Sequence, residues 1–309
     1  MTSHALPAGI GVAAFDALHD DLPAWRAVVC AIAVSHGGGP VRQMGEGTVL
    51  VALLGQDRVL KLYPPFLRDH FTFECAALQR LAGRLSVPTP RLLATGEREG
   101  WPYLLMTQLA GVPLTAVWPG LDEDGKCALL AQLGALAAQV HALPVAGMAQ
   151  HAPCWADFIA AQRSRCAQRQ RRTGLPEHLL LQLDGFLAGD LPQGNDVILT
   201  GEYTPMNLLH GPAAAGARAG LSGMFDFGDG LVGPPAYDWL GPLCFLAAGH
   251  AARCQAFFAG YGVVPDAAQR QALLRLLLLH RYSHLQAQIA MKDWQAAGSY
   301  EELAARMWP

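Results

Sequence analysis

The sequence predicts an α+β protein in two lobes, a small strand-rich one over residues 1–108 and a large helical one over 109–309. Three observations carry this. Two β-prone runs, 48–54 and 58–63, lie early in the chain and are joined by Gly55, Gln56 and Asp57. From Gly111 onward, Ala/Leu-rich runs with helical spacing dominate. The composition, 52% hydrophobic and 15% charged, excludes a disordered chain and suits a compact helical body.

In chain order, 23–36 reads as a helix with Trp25, Val28, Val29, Ile32 and Ala33 on one face, ended by the run of glycines before Pro40. The hairpin 48–63 follows, and Pro64 and Pro65 stop its second strand. A helix is expected over 70–85, then a strand over 101–108 after a turn-rich segment at 96–100. The second lobe reads as helices over 123–141, 155–173, 177–188, 238–260 and 267–289. A strand-turn-strand insert, 197–209 and 221–227, interrupts them, with 211–220 as its loop.

Bulk properties narrow the function classes. At 309 residues the chain can bury a sizeable core without metal or disulfide staples. A net charge of −3 leaves no basic footprint for nucleic acid. The seven cysteines are widely spaced and read as buried thiols in a reducing compartment. Residues 1–21 lack the basic segment and apolar core of a signal peptide, and the apolar run 272–279 is far shorter than the roughly 20 residues that cross a bilayer. A soluble cytoplasmic protein is expected, with no membrane association and no obligate protein partner.

The chemistry concentrates in a few residues. Glu202, Asn207 and Asp226, the last beside Phe227 and Gly228, offer a carboxylate, an amide and a second carboxylate as hard oxygen groups. Such groups can hold Mg2+ and a triphosphate while a hydroxyl attacks, with Glu202 taking the proton of that hydroxyl. Taken singly, Asp226 and Asn207 also read as turn or cap residues. Lys61 is one of three lysines among 22 basic residues, so an ammonium inside a strand stands out. Alternation sets it on the face opposite Leu60 and Leu62, toward a cleft or solvent. Glu74, a carboxylate among apolar helical positions, is its expected partner; a helix N-terminal acid is the other reading. Gly45 and Gly47 precede the first strand as an incomplete phosphate-covering loop.

Together these motifs resemble the aminoglycoside phosphotransferase family, a branch of the protein-kinase-like fold. Val59-Leu-Lys-Leu-Tyr63, Val87-Pro-Thr-Pro-Arg-Leu-Leu93, Trp101-Pro-Tyr-Leu-Leu-Met106 and Tyr300-Glu-Glu-Leu-Ala304 are most similar to hygromycin B phosphotransferases acting on the 7''-hydroxyl. The resemblance implies a bilobal kinase-like fold and ATP/Mg2+-dependent transfer of a phosphoryl group to a hydroxyl of a small molecule. An aminoglycoside-like antibiotic is a candidate acceptor. It implies that Lys61 and Glu74 serve the nucleotide in residues 1–108, that Met106, Thr107, Gln108 and Leu109 form the hinge contacting adenine, and that Asn207 and Asp226 bind magnesium. It also implies that Asp238 braces the catalytic loop.

Two positions depart from the family pattern. Thr200 stands where the loop histidine is usual, and Glu202 stands where the catalytic aspartate is usual. One added methylene moves a carboxylate by about 1.5 Å at full extension, and a misplacement near 1 Å can cost on the order of a hundredfold in rate. The alternative reading is therefore a nucleotide-binding pseudokinase with impaired catalysis. Among the remaining residues, the arginines of 163–172 read as a solvated helix face, and His280 and His284 as helix residues. Glu301 and Glu302 read equally as groups to meet an acceptor amine and as surface or capping acids.

Overall fold

The computed structural model describes residues 6–45, 47–201, 203–212 and 219–309. The chain divides into two compact units: the described residues up to Arg84, with Pro88–Ala110 and Phe227–Asp229, form the first, and Leu85–Val87, Gly111–Asp226 and Gly230–Pro309 the second.

The first unit contains α1 (Val12–Asp20), α2 (Leu22–Ser35), β1 (Val41–Met44), β2 (Leu50–Leu54), β3 (Arg58–Leu62), α3 (Arg68–Leu81), β4 (Leu92–Arg98) and β5 (Trp101–Thr107). Its strands form an antiparallel sheet in the order β1-β2-β3-β5-β4. Period-2 alternation puts Leu50, Ala52, Leu54, Leu60, Leu62, Trp101, Tyr103 and Leu105 on one face, where Phe15, Trp25, Val28 and Ile32 of α1 and α2 cover them. Helix α3 packs against β4 and β5 and buries Phe73, Glu74, Ala77, Leu78 and Leu81. Both faces of the central strand β3 are thus covered, and Lys61 is buried rather than turned to solvent.

Helix α1 and strands β1 and β4 go beyond the sequence reading. The segment 96–100 is not all turn: β4 runs through Gly96 to Arg98, and only Glu99 and Gly100 form the bend, both with positive φ. Two cross-strand partners on β5, Pro102 and Trp101, extend the pairing that far.

The second unit comprises β6 (Val112–Pro113), α4 (Leu114–Val117), α5 (Glu123–His141), α6 (Trp155–Arg172), α7 (Glu177–Leu180), α8 (Leu183–Leu187), β7 (Val197–Leu199), β8 (Leu208–Gly211), β9 (Gly220–Met224), β10 (Leu231–Gly233), α9 (Ala236–Phe245), α10 (Ala251–Tyr261), α11 (Ala267–Leu278), α12 (Leu285–Gln288) and α13 (Tyr300–Met307). The insert splits between two small sheets, β10-β7 and β6-β8-β9. Residues 213–218 of its loop lie outside the described residues.

Each long helix expected near the C-terminus breaks in two. Pro242 removes a helical donor within α9, which ends at Phe245, and Gly249, with φ 78°, lies in the bend before α10. The 267–289 run stops at Leu278, so His280 lies in a turn and His284 is the N-cap of α12. The arginine run is also more than a solvated face. Arg163 donates to the Leu187 carbonyl, and Arg169 donates to the Leu278 carbonyl at 3.0 Å, satisfying carbonyls at the ends of α8 and α11.

Helices α5 and α10 touch backbone to backbone. A Cβ on Gly134 would lie 2.2 Å from the Phe257 carbonyl oxygen, and one on Gly260 would lie 2.1 Å from that of Ala131, so neither position admits a side chain. This approach sets His141, at the end of α5, beside Tyr261, at the end of α10. The cysteines are all free thiols: Cys166, Cys244 and Cys254 are buried, Cys30, Cys75 and Cys127 are half-buried, and Cys154 is exposed. No helix among the described residues is long and apolar enough to cross a membrane.

Candidate active site

In the first unit, β3 and α3 bring Lys61 and Glu74 together. Lys61 Nζ donates to Glu74 Oε1 at 2.7 Å and to Oε2 at 3.0 Å, with side-chain exposures of 7% and 0%. The Tyr63 hydroxyl donates to Glu74 Oε2, and the Phe227 N–H donates to Oε1 at 3.4 Å. One buried carboxylate is therefore met by an ammonium, a phenol and a backbone amide, which offsets the desolvation of its charge. Burial, and then the Glu74 carboxylate, push the neighbouring Cys75 thiol up to about 12. Cys75 is thus an unreactive thiol despite its place beside the pair.

Gly45 and Gly47 flank Glu46, which lies outside the described residues. Their φ values of 93° and 126° are open to glycine and strained for other residues, and the Gly45 N–H donates to the Val51 carbonyl at 3.1 Å. The 106–109 segment leaves the sheet at the end of β5. Met106 is buried and pairs with Val59 and Leu92. The N–H of Thr107 donates to Arg91 O at 3.0 Å, and that of Gln108 to Asp57 O at 2.6 Å. The Gln108 side chain accepts from Arg42 at 2.6 Å.

In the second unit, Asn207 and Asp226 flank the β8–β9 ladder. Leu208 pairs with Met224, and one step further the Phe225 N–H donates to the Asn207 carbonyl at 3.1 Å. Asn207 is buried, and Asp226 takes a left-handed backbone with φ 70°, a conformation costly outside glycine and frequent at functional positions. A neutral amide oxygen and a carboxylate are hard donors suited to magnesium, which commonly keeps waters and takes phosphate oxygens as its further ligands. The donor set therefore fits that ion.

The loop after β7 is gripped from below by Asp238 of α9. Asp238 Oδ1 accepts the Gly201 N–H at 2.8 Å, and Oδ2 accepts the Thr200 N–H at 2.9 Å and its hydroxyl at 3.4 Å. His141 Nε2–H donates to the same Oδ2 at 3.1 Å, while its Nδ1 lies 2.9 Å from the Tyr261 hydroxyl. Burial, and then the Asp238 carboxylate, push the adjacent Tyr203 phenol well above its ordinary range. Glu202, the expected proton acceptor, lies outside the described residues.

A family model described as the phosphotransferase enzyme family (APH) matches residues 45–276. The chain belongs to this family. The match spans the Lys61–Glu74 pair, the Asn207–Asp226 ladder and Asp238, so every contact just described for them lies inside the family segment. Solved structures agree on the kinase-like fold of such phosphotransferases. The GDP complex of wild-type aminoglycoside 2'-phosphotransferase-IIIa gives a TM-score of 0.64 at 20% identity, over 91% of this chain and 97% of that one. The macrolide 2'-phosphotransferase MphH from Brachybacterium faecium gives 0.59 at 20% identity, over 86% and 99%. The phosphotransferase APH(3'')-Id from Streptomyces rimosus, in complex with ADP and streptomycin, gives 0.54 at 18% identity, over 82% and 98%. Among curated protein sequences, none matches significantly.

Several residues that shape this phosphotransferase site escaped the sequence reading. His141 and Tyr261 come from helices far apart in sequence, and although Tyr63 and Phe227 lie within noted segments, the phenol and backbone amide that bind Glu74 have no sequence signature. His70, whose Nδ1 lies 3.3 Å from Asp229 Oδ1, could have been found, because it lies one helical turn before Glu74. Of the two acids considered for an acceptor amine, Glu302 instead accepts the Gly298 N–H at 2.8 Å and lies 3.7 Å from Arg306, a capping arrangement at α13.

Proposed function

We propose that the protein transfers the γ-phosphoryl group of ATP to a hydroxyl of a small molecule, with magnesium. The observation that carries this is the buried Lys61–Glu74 pair, since an ammonium kept at 2.7 Å from a carboxylate inside a sheet is pre-positioned for phosphate oxygens. On this reading residues 1–108 bind the nucleotide and 109–309 hold the catalytic and acceptor groups. Lys61 donates to the α- and β-phosphates, with Gly45 and Gly47 covering them. The base lies along Met106 to Leu109, and because the Thr107 and Gln108 amides already donate within the unit, the Leu109 N–H and the segment's carbonyls are its partners.

Asn207 and Asp226 hold the magnesium, which when bound neutralises phosphate oxygens as charge shifts onto the leaving group. Glu202 takes the proton of the acceptor hydroxyl as that oxygen bonds to the γ-phosphorus. The bond to the β–γ bridging oxygen breaks, and ADP leaves. Asp238 holds the amides of Thr200 and Gly201, the two residues before Glu202 in the chain.

The acceptor is an antibiotic-type polyol. Solved structures of similar fold include one in complex with GDP and kanamycin and one with streptomycin and ATP, and a further one is a macrolide phosphotransferase. The sequence similarity to hygromycin B phosphotransferases adds that compound to the candidates. ATP dependence fits action in the cytoplasm. The test is phosphoryl transfer from labelled ATP over a panel of aminoglycosides, hygromycin B and macrolides. Wild type should label at least one acceptor only when magnesium is present, and Asp226→Asn should label none. Nucleotide binding with no labelled acceptor from a broad hydroxyl panel would instead favour the pseudokinase, the reading that Glu202 and Thr200 motivate.

A further inference from the structure

We propose that His70 and Asp229 are positioning residues, a clamp that fastens the loop after Asp226 to α3 and thereby sets the magnesium ligand. This rests on the function proposed above. His70 Nδ1 lies 3.3 Å from Asp229 Oδ1, within the first unit. His70 and Glu74 are four residues apart on α3 and so share one face. That face holds three successive residues by three different means. Phe227 is held by its N–H on Glu74 Oε1 at 3.4 Å. Gly228 lies against the helix, where a Cβ would sit 3.4 Å from Glu74 Oε2 and 3.7 Å from His70 Cβ. Asp229 is held by its side chain on His70.

Asp226 is joined directly to this tripeptide and carries the left-handed φ of 70°. A non-glycine residue keeps such a backbone only where its surroundings over-determine it. Here the preceding residue is fixed by the bond from Phe225 N–H to the Asn207 carbonyl, and the following three are fixed by α3. The His70–Asp229 contact is the outermost of these restraints, with side-chain exposures of 30% and 12%. Its loss should therefore loosen the far end of the loop, with melting curves reading whether the fold is kept. Within the first unit Glu74 serves both Lys61 and the start of this tripeptide.

The experiment is a magnesium titration of a fluorescent ADP analogue, with its affinity in EDTA measured alongside, for wild type, His70→Ala, His70→Asn, Asp229→Asn and the double variant His70→Ala/Asp229→Asn. Removing a group that orients a metal ligand lowers metal affinity by roughly 10- to 100-fold. His70→Ala and Asp229→Asn should each raise the magnesium midpoint by about tenfold, with nucleotide affinity in EDTA unchanged. His70→Asn keeps an N–H donor near the position of Nδ1 and should restore most of the loss. The double variant should be no worse than His70→Ala alone, because Asp229→Asn removes only the charge of a contact that His70→Ala already abolishes.

Melting curves without metal verify folding, and Asp229→Asn, being isosteric, keeps the test informative if the alanine variant unfolds. Midpoints equal to wild type in both single variants, or additive losses in the double one, overturn the clamp. Wild type with no magnesium-dependent binding of the nucleotide overturns the proposed function itself, and the clamp with it.

Discussion

Two buried carboxylates, Glu74 in the first unit and Asp238 in the second, organise the candidate site by opposite electrostatic means. Glu74 is neutralised by a charge, the Lys61 ammonium at 2.7 Å, with Tyr63 and the Phe227 amide filling in. Asp238 meets no lysine or arginine among the described residues, and holds instead two backbone N–H groups, a threonine hydroxyl and a histidine. The first arrangement fixes a side chain that must be available to a ligand. The second fixes a backbone path. A buried ion pair fails when one partner is removed yet tolerates joint neutralisation, whereas a carboxylate serving backbone amides has partners that no side-chain substitution can take away.

Breaking the ion pair should give the largest effect. Lys61→Met leaves Glu74 as an uncompensated buried charge and should destabilise the protein by about 3–5 kcal/mol, read by thermal or urea unfolding. Adding Glu74→Gln, which keeps one acceptor oxygen for the Phe227 N–H and turns an NH2 donor to the Tyr63 oxygen, should recover a large part of that loss. No recovery would show that Glu74 acts through its shape rather than its charge. Next comes Asp238→Asn, which keeps the volume but turns a donor toward at least one loop amide. A buried amide left unpaired costs about 1–3 kcal/mol, so a loss of roughly 2 kcal/mol is expected, with no rescue by neutralising any other residue.

Smaller effects sharpen the picture. Tyr261→Phe removes only the outer member of the Tyr261–His141–Asp238 chain and should cost about 1 kcal/mol. Its phenol titrates above the ordinary range, first through burial, as those of Tyr203 and Tyr300 do, so Tyr261→Phe should reduce the late-titrating tyrosine signal that wild type keeps past the main transition. At the far end of the scale is Glu123, which bonds Arg253 at 2.5 Å and 2.9 Å on the surface of α5. The Arg253 hydrogen bond lowers its pKa from 4.5 to about 2. A depressed carboxylate stabilises above its unfolded pKa and loses that contribution as pH falls through the folded one. The melting difference between wild type and Glu123→Gln should therefore be full above about pH 5, shrink below pH 4.5 and vanish near pH 2, remaining small throughout because the Glu123 carboxylate is exposed.

The same contrast explains what was legible in the sequence. The Lys61–Glu74 pair announced itself because charges are scarce in this chain, and a charge placed in an apolar strand or helix face needs a partner. Its burial did not follow from strand alternation, since the covering of both sheet faces depends on α1, α2 and α3 together. Asp238 was placed through family resemblance, but its partners were not, because backbone amides have no sequence signature and His141 and Tyr261 meet only through the Gly134–Gly260 approach of α5 and α10. Helix breaks at Pro242 and Gly249 were readable in principle and were overridden by continuous apolar periodicity. His70, at helical spacing from Glu74, was readable and was passed over because its partner Asp229 lies far along the chain.

The central claim is that these two carboxylate-built regions serve phosphoryl transfer with Glu202 as proton acceptor. Magnesium-dependent phosphorylation of an acceptor by wild type, Glu202→Asp and Glu202→Gln tests it most directly. Turnover by wild type is expected, with retained or raised turnover for Glu202→Asp, a loss for Glu202→Gln on the order of 100-fold or more, and nucleotide affinity unchanged in all three. Turnover by Glu202→Gln equal to wild type would contradict it.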